Sequence, residues 1–173
     1  INSAGTNAHS GNGDVFVVEA DESDGSFLAY KPQGAIITNL ELDHVDHFTS
    51  ENQLFATFAD FVRSIKPGGF LVACGDDLGV RKLIEMISGQ DLKIITYGQA
   101  PENDYQISRI NLNPSSSTAQ ITVNGRKAGE LSLVVPGLHN LLNALAAFAA
   151  GRALAVEESK LLQGLSTFTG TKR

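Results

Sequence analysis

The stretch from residue 34 to residue 74, GAIITNLELDHVDHFTSENQLFATFADFVRSIKPGGFLVAC, decides the fold of this chain. Two short apolar runs, Gly34–Leu40 and Phe70–Cys74, flank a longer segment with the spacing of an amphipathic helix. We predict that helix over residues 50–66, because SENQ forms a capping box at its start and Pro-Gly-Gly ends it. A strand, a helix and a second strand in this order are typical of a right-handed βαβ unit with a parallel sheet.

The alternation of strands and helices continues on both sides of this unit. Asp14–Ala20, DVFVVEA, is a β-branched apolar run of the kind that is buried on both faces of a parallel sheet, and we predict a strand there. A short helical turn follows it. Beyond Cys74 we predict a helix that Asp76 and Asp77 open and that ends near Ser88, and then a strand over Leu92–Tyr97.

The pattern changes after residue 98. Three runs alternate apolar and polar residues, and Asn124-Gly125 is a strong hairpin signal between the last two. These runs are Tyr105–Leu112, Thr118–Val123 and Glu130–Val135, and two helices, Leu138–Leu154 and Glu157–Leu165, follow them. The sequence therefore predicts an α/β fold with a mainly parallel sheet flanked by helices and a small antiparallel meander. We assign residues 1–98 and 136–173 to the α/β part and residues 99–135 to the antiparallel sheet.

Composition excludes several classes of protein. With 173 residues, a formal net charge of −6 and a pI near 5.1, the chain is long enough for one packed domain and too acidic for general binding to nucleic acids or anionic membranes. The single Cys74 cannot form an intramolecular disulfide, which fits a reducing compartment. The longest apolar stretch, near residues 141–150, is too short to span a bilayer.

Acidic and imidazole side chains follow two of the predicted strands. Seven of the nineteen acidic residues lie between Glu19 and Asp46, and His44 stands among them. Glu19 and His44 end neighbouring predicted strands, so both can reach one magnesium ion at the carboxyl edge of the sheet. The alternative is that the acids solvate a loop or cap a helix and that His44 is a structural residue.

The segment PGLHNLLNA, residues 136–144, opens a predicted helix. Asn140 and Asn143 are three residues apart and therefore share a face of its first turns. An Asn amide can pair with the N6/N7 edge of adenine, so the two residues are candidates for adenine binding. The alternative is that His139 or Asn140 simply caps the helix.

Four segments of the chain resemble the Mur ligases, and they occur in the order of that family. They are EADESDGSFL at 19–28, TNLELDHVD at 38–46, PGLHNLLNA at 136–144 and FTGTKR at 168–173. The acidic string at 19–24 is similar to that of the members that add alanine. The resemblance implies the central, ATP-binding domain of a three-domain, cytoplasmic bacterial enzyme, whose UDP-binding N-terminal domain and C-terminal domain lie outside this chain.

The resemblance also implies a reaction and its residues. The family forms an amide from ATP, a carboxylate and an amine, here UDP-N-acetylmuramate and L-alanine, through an acyl phosphate. Glu19 and His44 would each bind Mg²⁺ and take part in catalysis. Asn140, Asn143 and His139 would contact ATP. Arg173 would join them, and Asn7 would contact the sugar-nucleotide substrate.

The phosphate loop of the family, Gly-x-x-Gly-Lys-Thr-Thr, does not occur in these 173 residues, because the glycines near the start lack a following Lys-Ser/Thr. We therefore expect the isolated chain to be catalytically inert. Three alternatives stay open: a murein-peptide recycling ligase, another Mur-type or folate-type ligase, and a nucleotide-binding scaffold without turnover.

Overall fold

The computed structural model describes residues 13–20, 25–41 and 50–170. They form one mixed sheet with helices on both faces. In chain order the elements are a 3-10 turn Ser26–Ala29, β1 Gly34–Ile37, α1 Glu51–Arg63, β2 Phe70–Cys74, α2 Leu78–Met86, β3 Lys93–Gly98, β4 Tyr105–Asn113, β5 Ser116–Val123, β6 Arg126–Leu133, α3 Leu138–Ala153 and α4 Glu158–Ser166.

The order of the strands in the sheet is the same as their order in the chain, from β1 to β6. β1, β2, β3 and β4 are parallel, whereas β4, β5 and β6 are antiparallel. The predicted α/β fold with a parallel sheet and an antiparallel meander is therefore confirmed. The two parts are continuous, because Tyr97 of β3 pairs with Tyr105 of β4.

Alternate residues of β2 enter two separate apolar cores, since successive side chains of a strand point to opposite faces. Leu71 and Ala73 pack in the core under α1 and α2. Val72 and Cys74 pack in the core under α3, which also contains the inward residues of β4, β5 and β6. The helices α1 and α2 thus lie on one face of the sheet and α3 lies on the other.

Local sequence signals have the structures that their chemistry predicts. The Ser50 hydroxyl accepts the N–H of Gln53 at 3.2 Å and caps α1. Asn124 and Gly125, with φ of 47° and 75°, form the two-residue turn between β5 and β6.

The predicted strand at Asp14–Ala20 is wrong in this structure. Residues 15–20 have no secondary structure, and Phe16 and Val17 are 76% and 85% exposed. A strand is stable only when its backbone N–H and C=O groups pair with a neighbour, and within the described residues β1 pairs only with β2. Apolar β-branched composition alone does not supply such a neighbour. Glu19 consequently does not lie at the end of a strand.

Replacing a valine by threonine at two positions tests whether residues 15–20 are exposed. Val17→Thr should change the free energy of unfolding by less than about 0.5 kcal/mol, because the side chain is already in water. Val72→Thr should cost about 1–3 kcal/mol, because Val72 is fully buried and its site offers a hydroxyl only apolar neighbours. Urea denaturation of both variants measures the difference. A loss at Val17 as large as that at Val72 would show that residues 14–20 are buried after all.

Candidate functional site

Three parallel strands, β1, β2 and β3, end at the same edge of the sheet. β4 continues beyond that edge, because it pairs with β3 only at the last two residues of β3. β6 runs in the same direction as β4, and α3 begins a few residues after it. In open α/β sheets, ligands bind at the edge where the parallel strands end.

Two adjacent carboxylates connect the loops of this edge. Asp77, which caps α2, accepts the N–H of Val80 at 2.8 Å and the N–H of Leu40, just after β1, at 3.2 Å. Asp76 accepts the N–H groups of Gln99 and Ala100, after β3. The pair Asp76-Asp77 thus ties the segments that leave β1 and β3 to the end of β2.

A cavity of about 520 Å³ opens beside Asp77, between the starts of α1 and α2. Its lining combines apolar, acidic and cationic side chains and consists of Leu40, Glu41, Glu51, Leu54, Phe55, Asp76, Asp77, Leu78, Gly79 and Lys82. The Nζ of Lys82 lies 2.9 Å from Glu51 and 4.2 Å from the centre of the Phe55 ring. The ammonium group is therefore held at the wall of the cavity by an ion pair and a cation–π contact.

The start of α3 presents polar side chains on a helix whose middle is mostly buried. His139 and Asn143 are exposed, and Asn140 is half-buried. The Asn140 amide donates to the carbonyl oxygen of Pro136 at 2.6 Å, whereas the N-cap position itself is Gly137. Asn140 thus fixes the chain before the helix without occupying the cap, and its Oδ1 accepts no hydrogen bond from the residues that the structure describes.

A model of the Mur ligase middle domain matches residues 2–151 of the sequence. The chain belongs to the Mur ligase family. Over 169 residues, 98% of the chain, it is 40% identical to the UDP-N-acetylmuramate–L-alanine ligase of Acidothermus cellulolyticus and 43% identical to that of Renibacterium salmoninarum. The chain spans 35% and 36% of the length of these two relatives.

A solved structure supports the same family. The UDP-N-acetylmuramate–alanine ligase MurC of Thermotoga maritima is 28% identical, with a TM-score of 0.73 over 88% of this chain and 33% of that one. The sheet and helices described here are therefore those of a Mur ligase middle domain.

In this Mur ligase domain, the structure describes only some of the site residues that the sequence predicted. His139, Asn140 and Asn143 share the start of α3, on the sheet face opposite to the cavity beside Asp77. Glu19 is exposed in the segment outside the sheet. His44, Asn7 and Arg173 lie outside the described residues, so their roles remain predictions.

Within residues 13–20, 25–41 and 50–170, no three His, Cys, Asp or Glu side chains lie together in a group that could hold a metal ion. In the same residues, no helix has the length and apolar character needed to cross a membrane.

Sequence reasoning missed the bond between Asp77 and Leu40. It recognised Asp76-Asp77 only as the start of a helix. The two partners are 37 residues apart, and no local pattern links them. The available signal was two carboxylates directly after a buried strand, a position from which a side chain reaches the loops of neighbouring strands.

Two ionisable groups are buried near the carboxyl ends of β2 and β3. Burial is the main cause that raises the pKa of the Cys74 thiol above its ordinary value of 9.0. Burial also raises the pKa of Tyr97 far above 10.0, and the neighbouring Cys74 adds to the shift. Both groups therefore stay protonated and neutral in the folded domain, and neither has the character of an activated nucleophile.

The Tyr97 shift predicts an alkaline loss of stability. Above pH 10 the unfolded chain releases the Tyr97 proton while the folded chain keeps it, so the folded state binds more protons and the free energy of unfolding falls as pH rises. At one pH unit above its pKa in the unfolded chain, a single group of this kind lowers the free energy of unfolding by about 1.4 kcal/mol. Tyr97→Phe should lose less stability than the wild type between neutral pH and about pH 11 in urea titrations. Tyr30→Phe, at a 43% exposed tyrosine, is the control and should behave like the wild type. Identical pH profiles for Tyr97→Phe and the wild type would contradict the prediction.

Proposed function

We propose that the whole protein that contains this chain is an ATP-dependent ligase that joins L-alanine to the lactyl carboxylate of UDP-N-acetylmuramate. The observation that carries this proposal is the identity of 40% or more, over nearly the whole chain, to enzymes named UDP-N-acetylmuramate–L-alanine ligase. The chain supplies the middle domain of such an enzyme. The UDP-binding and C-terminal domains and a bacterial, cytoplasmic location are parts of the same proposal.

The reaction proceeds in two steps. The lactyl carboxylate attacks the γ-phosphorus of ATP, which gives an acyl phosphate and ADP. The amine of L-alanine then attacks the acyl carbon, loses a proton, and the tetrahedral intermediate expels phosphate to leave the amide. Because phosphoryl transfer needs little covalent chemistry from the protein, the middle domain contributes mainly positioning and a fixed electrostatic environment.

The start of α3 suits recognition of the adenine base. The Oδ1 of Asn140 can accept the N6 amino group, and the exposed amide of Asn143 can bond at the same base edge. His139, exposed beside them, offers a ring to stack on the base. We expect Asn143→Ala to raise KM for ATP and to weaken the preference for ATP over GTP.

Two residues are proposed as magnesium ligands and two as substrate contacts. Glu19 and His44 would hold Mg²⁺, which neutralises charge on the phosphates of ATP when it is bound. Arg173 would contact ATP and Asn7 the sugar-nucleotide. These four assignments rest on the motifs in the sequence.

The test is phosphate release by the whole protein, supplied with ATP, magnesium, UDP-N-acetylmuramate and amino acids one at a time. We expect release only with L-alanine. Glu19→Ala and His44→Ala should each reduce it by about 10²-fold or more, because both would act on the transferring phosphoryl group. Glu130→Ala, at an exposed glutamate on β6, is the matched control and should keep wild-type activity.

The other outcomes identify the alternatives. Release with L-Ala-γ-D-Glu-diaminopimelate and not with L-alanine would overturn the proposal in favour of a peptide-recycling ligase. ATP binding without release under any condition would indicate a nucleotide-binding scaffold. Normal activity of both Glu19→Ala and His44→Ala would remove their assignment while leaving the reaction in place.

A further inference from the structure

We propose that Asp77 is a positioning residue of the ligase reaction, which holds the segment leaving β1 against the start of α2 at the ligand-binding edge of the sheet. The inference rests on the proposed function, since it assigns a residue to the same reaction. Asp77 acts through the backbone of Leu40, without contact to the reacting atoms.

A single oxygen of Asp77 joins two elements. Its Oδ1 accepts the N–H of Val80 in the first turn of α2 and the N–H of Leu40, three residues after the last residue of β1. A helix cap needs only the first of these bonds. The second bond has no function in α2 and fixes the backbone of a different element, 37 residues away in the chain.

Close packing at Gly79 strengthens the same contact. A Cβ at Gly79 would overlap the carbonyl oxygen of Leu40, so only glycine allows α2 to approach this backbone. Leu40 itself is 5% exposed and belongs to the core under α1 and α2. The N–H, the carbonyl group and the side chain of Leu40 are thus all restrained, and the N–H is restrained by Asp77.

The restraint on Leu40 lies at the cavity beside Asp77, where it can affect function. Leu40 and Glu41 line the cavity beside Asp77, and His44 follows Leu40 by four residues in the sequence. A backbone that shifts by about 1 Å can cost on the order of 10²-fold in rate where reacting groups must be aligned. A bond that holds the exit of β1 therefore affects turnover as well as folding.

Three variants separate positioning from charge and from stability. Asp77→Ala removes both hydrogen bonds. Asp77→Asn removes the charge but keeps an Oδ1 that can accept both bonds. Asp104→Ala is the matched control, because a single oxygen of Asp104 also accepts two bonds, from the N–H of Thr96 at 2.8 Å and from its hydroxyl at 3.0 Å, and both donors belong to β3 and not to the segment that leaves β1.

The experiment has one arm on this chain and one on the whole protein. Amide hydrogen exchange of the chain should show loss of protection at Leu40 in Asp77→Ala, and protection kept in Asp77→Asn and Asp104→Ala. In the whole protein, kcat for L-alanine-dependent phosphate release should fall on the order of tenfold or more in Asp77→Ala. It should stay within about threefold of wild type in Asp77→Asn and in Asp104→Ala, at a temperature at which all three remain folded.

The failures of the two proposals are distinguishable. A wild-type protein without L-alanine-dependent release would overturn the proposed function, and the exchange arm would still test the restraint on Leu40. Unchanged protection of Leu40 in Asp77→Ala overturns the inference. It is equally overturned if Asp77→Asn is as inactive as Asp77→Ala, which assigns the role to charge, or if Asp104→Ala loses as much kcat, which assigns it to general stability.

Discussion

Phe148→Ala should lower the free energy of unfolding by about 3–5 kcal/mol, the range for removing a fully buried aromatic side chain. Phe148 is completely buried in α3, and its ring lies 6.3 Å from that of Tyr105 on β4, edge to face. The substitution leaves a cavity between the helix and the sheet that neither rigid element can close. Urea denaturation followed by circular dichroism measures the loss.

The control for this prediction is Phe168→Ala. Phe168 is 43% exposed, so the same change of side chain should cost clearly less. A loss below about 1.5 kcal/mol at Phe148 would mean that α3 can settle into the space, and that the core under it is looser than its complete burial indicates.

Asp76→Ala should cost about 3 kcal/mol, because it removes a charged acceptor from three donors at once. The Asp76 carboxylate accepts the N–H groups of Gln99 and Ala100 and the side-chain amide of Asn103, at 2.6, 3.1 and 2.8 Å. Asn103 is only 4% exposed, so water does not readily replace the lost partner. Thermal and urea unfolding of the chain measure the effect.

Asp76→Asn removes only part of the same interaction. Its amide nitrogen must face one of the N–H donors in either orientation, so at least one bond is lost, and we expect a cost of about 1–2 kcal/mol. The predicted order of stability is therefore wild type, Asn, Ala. Equal losses for both variants would show that the carboxylate charge alone, and not the number of bonds, stabilises the loop after β3.

The fold was predictable wherever the sequence carried its own local signal. β2 spans the predicted residues 70–74, because an apolar run between Pro-Gly-Gly and Gly-Asp-Asp has clear limits. One or two residues likewise specify each helix cap and the Asn124-Gly125 turn, as at the caps of α1 and α2. Helix and strand ends shifted by a few residues elsewhere, as at β6, which begins at Arg126 directly after the turn.

The features that the sequence did not predict correctly depend on partners far away in the chain. Residues 14–20 have the composition of a buried strand, yet a strand needs a paired neighbour, and composition does not report one. The Asp77–Leu40 bond joins two segments that only the parallel sheet brings together. The common placement of Asn140 and Asn143 was predictable, because both residues belong to one helix. Their role in adenine binding stays a prediction.

The identity of sheet order and chain order has a consequence for how the domain folds. Each strand pairs with the strand before it in the chain, so the sheet can grow strand by strand as a nascent chain emerges. The helix α3, which covers the inward residues of β2 to β6, comes after all of them. Until α3 is complete, a nearly finished sheet exposes one apolar face to water. The apolar face formed by β2 to β6 is therefore covered only by a helix that follows all of these strands in the chain.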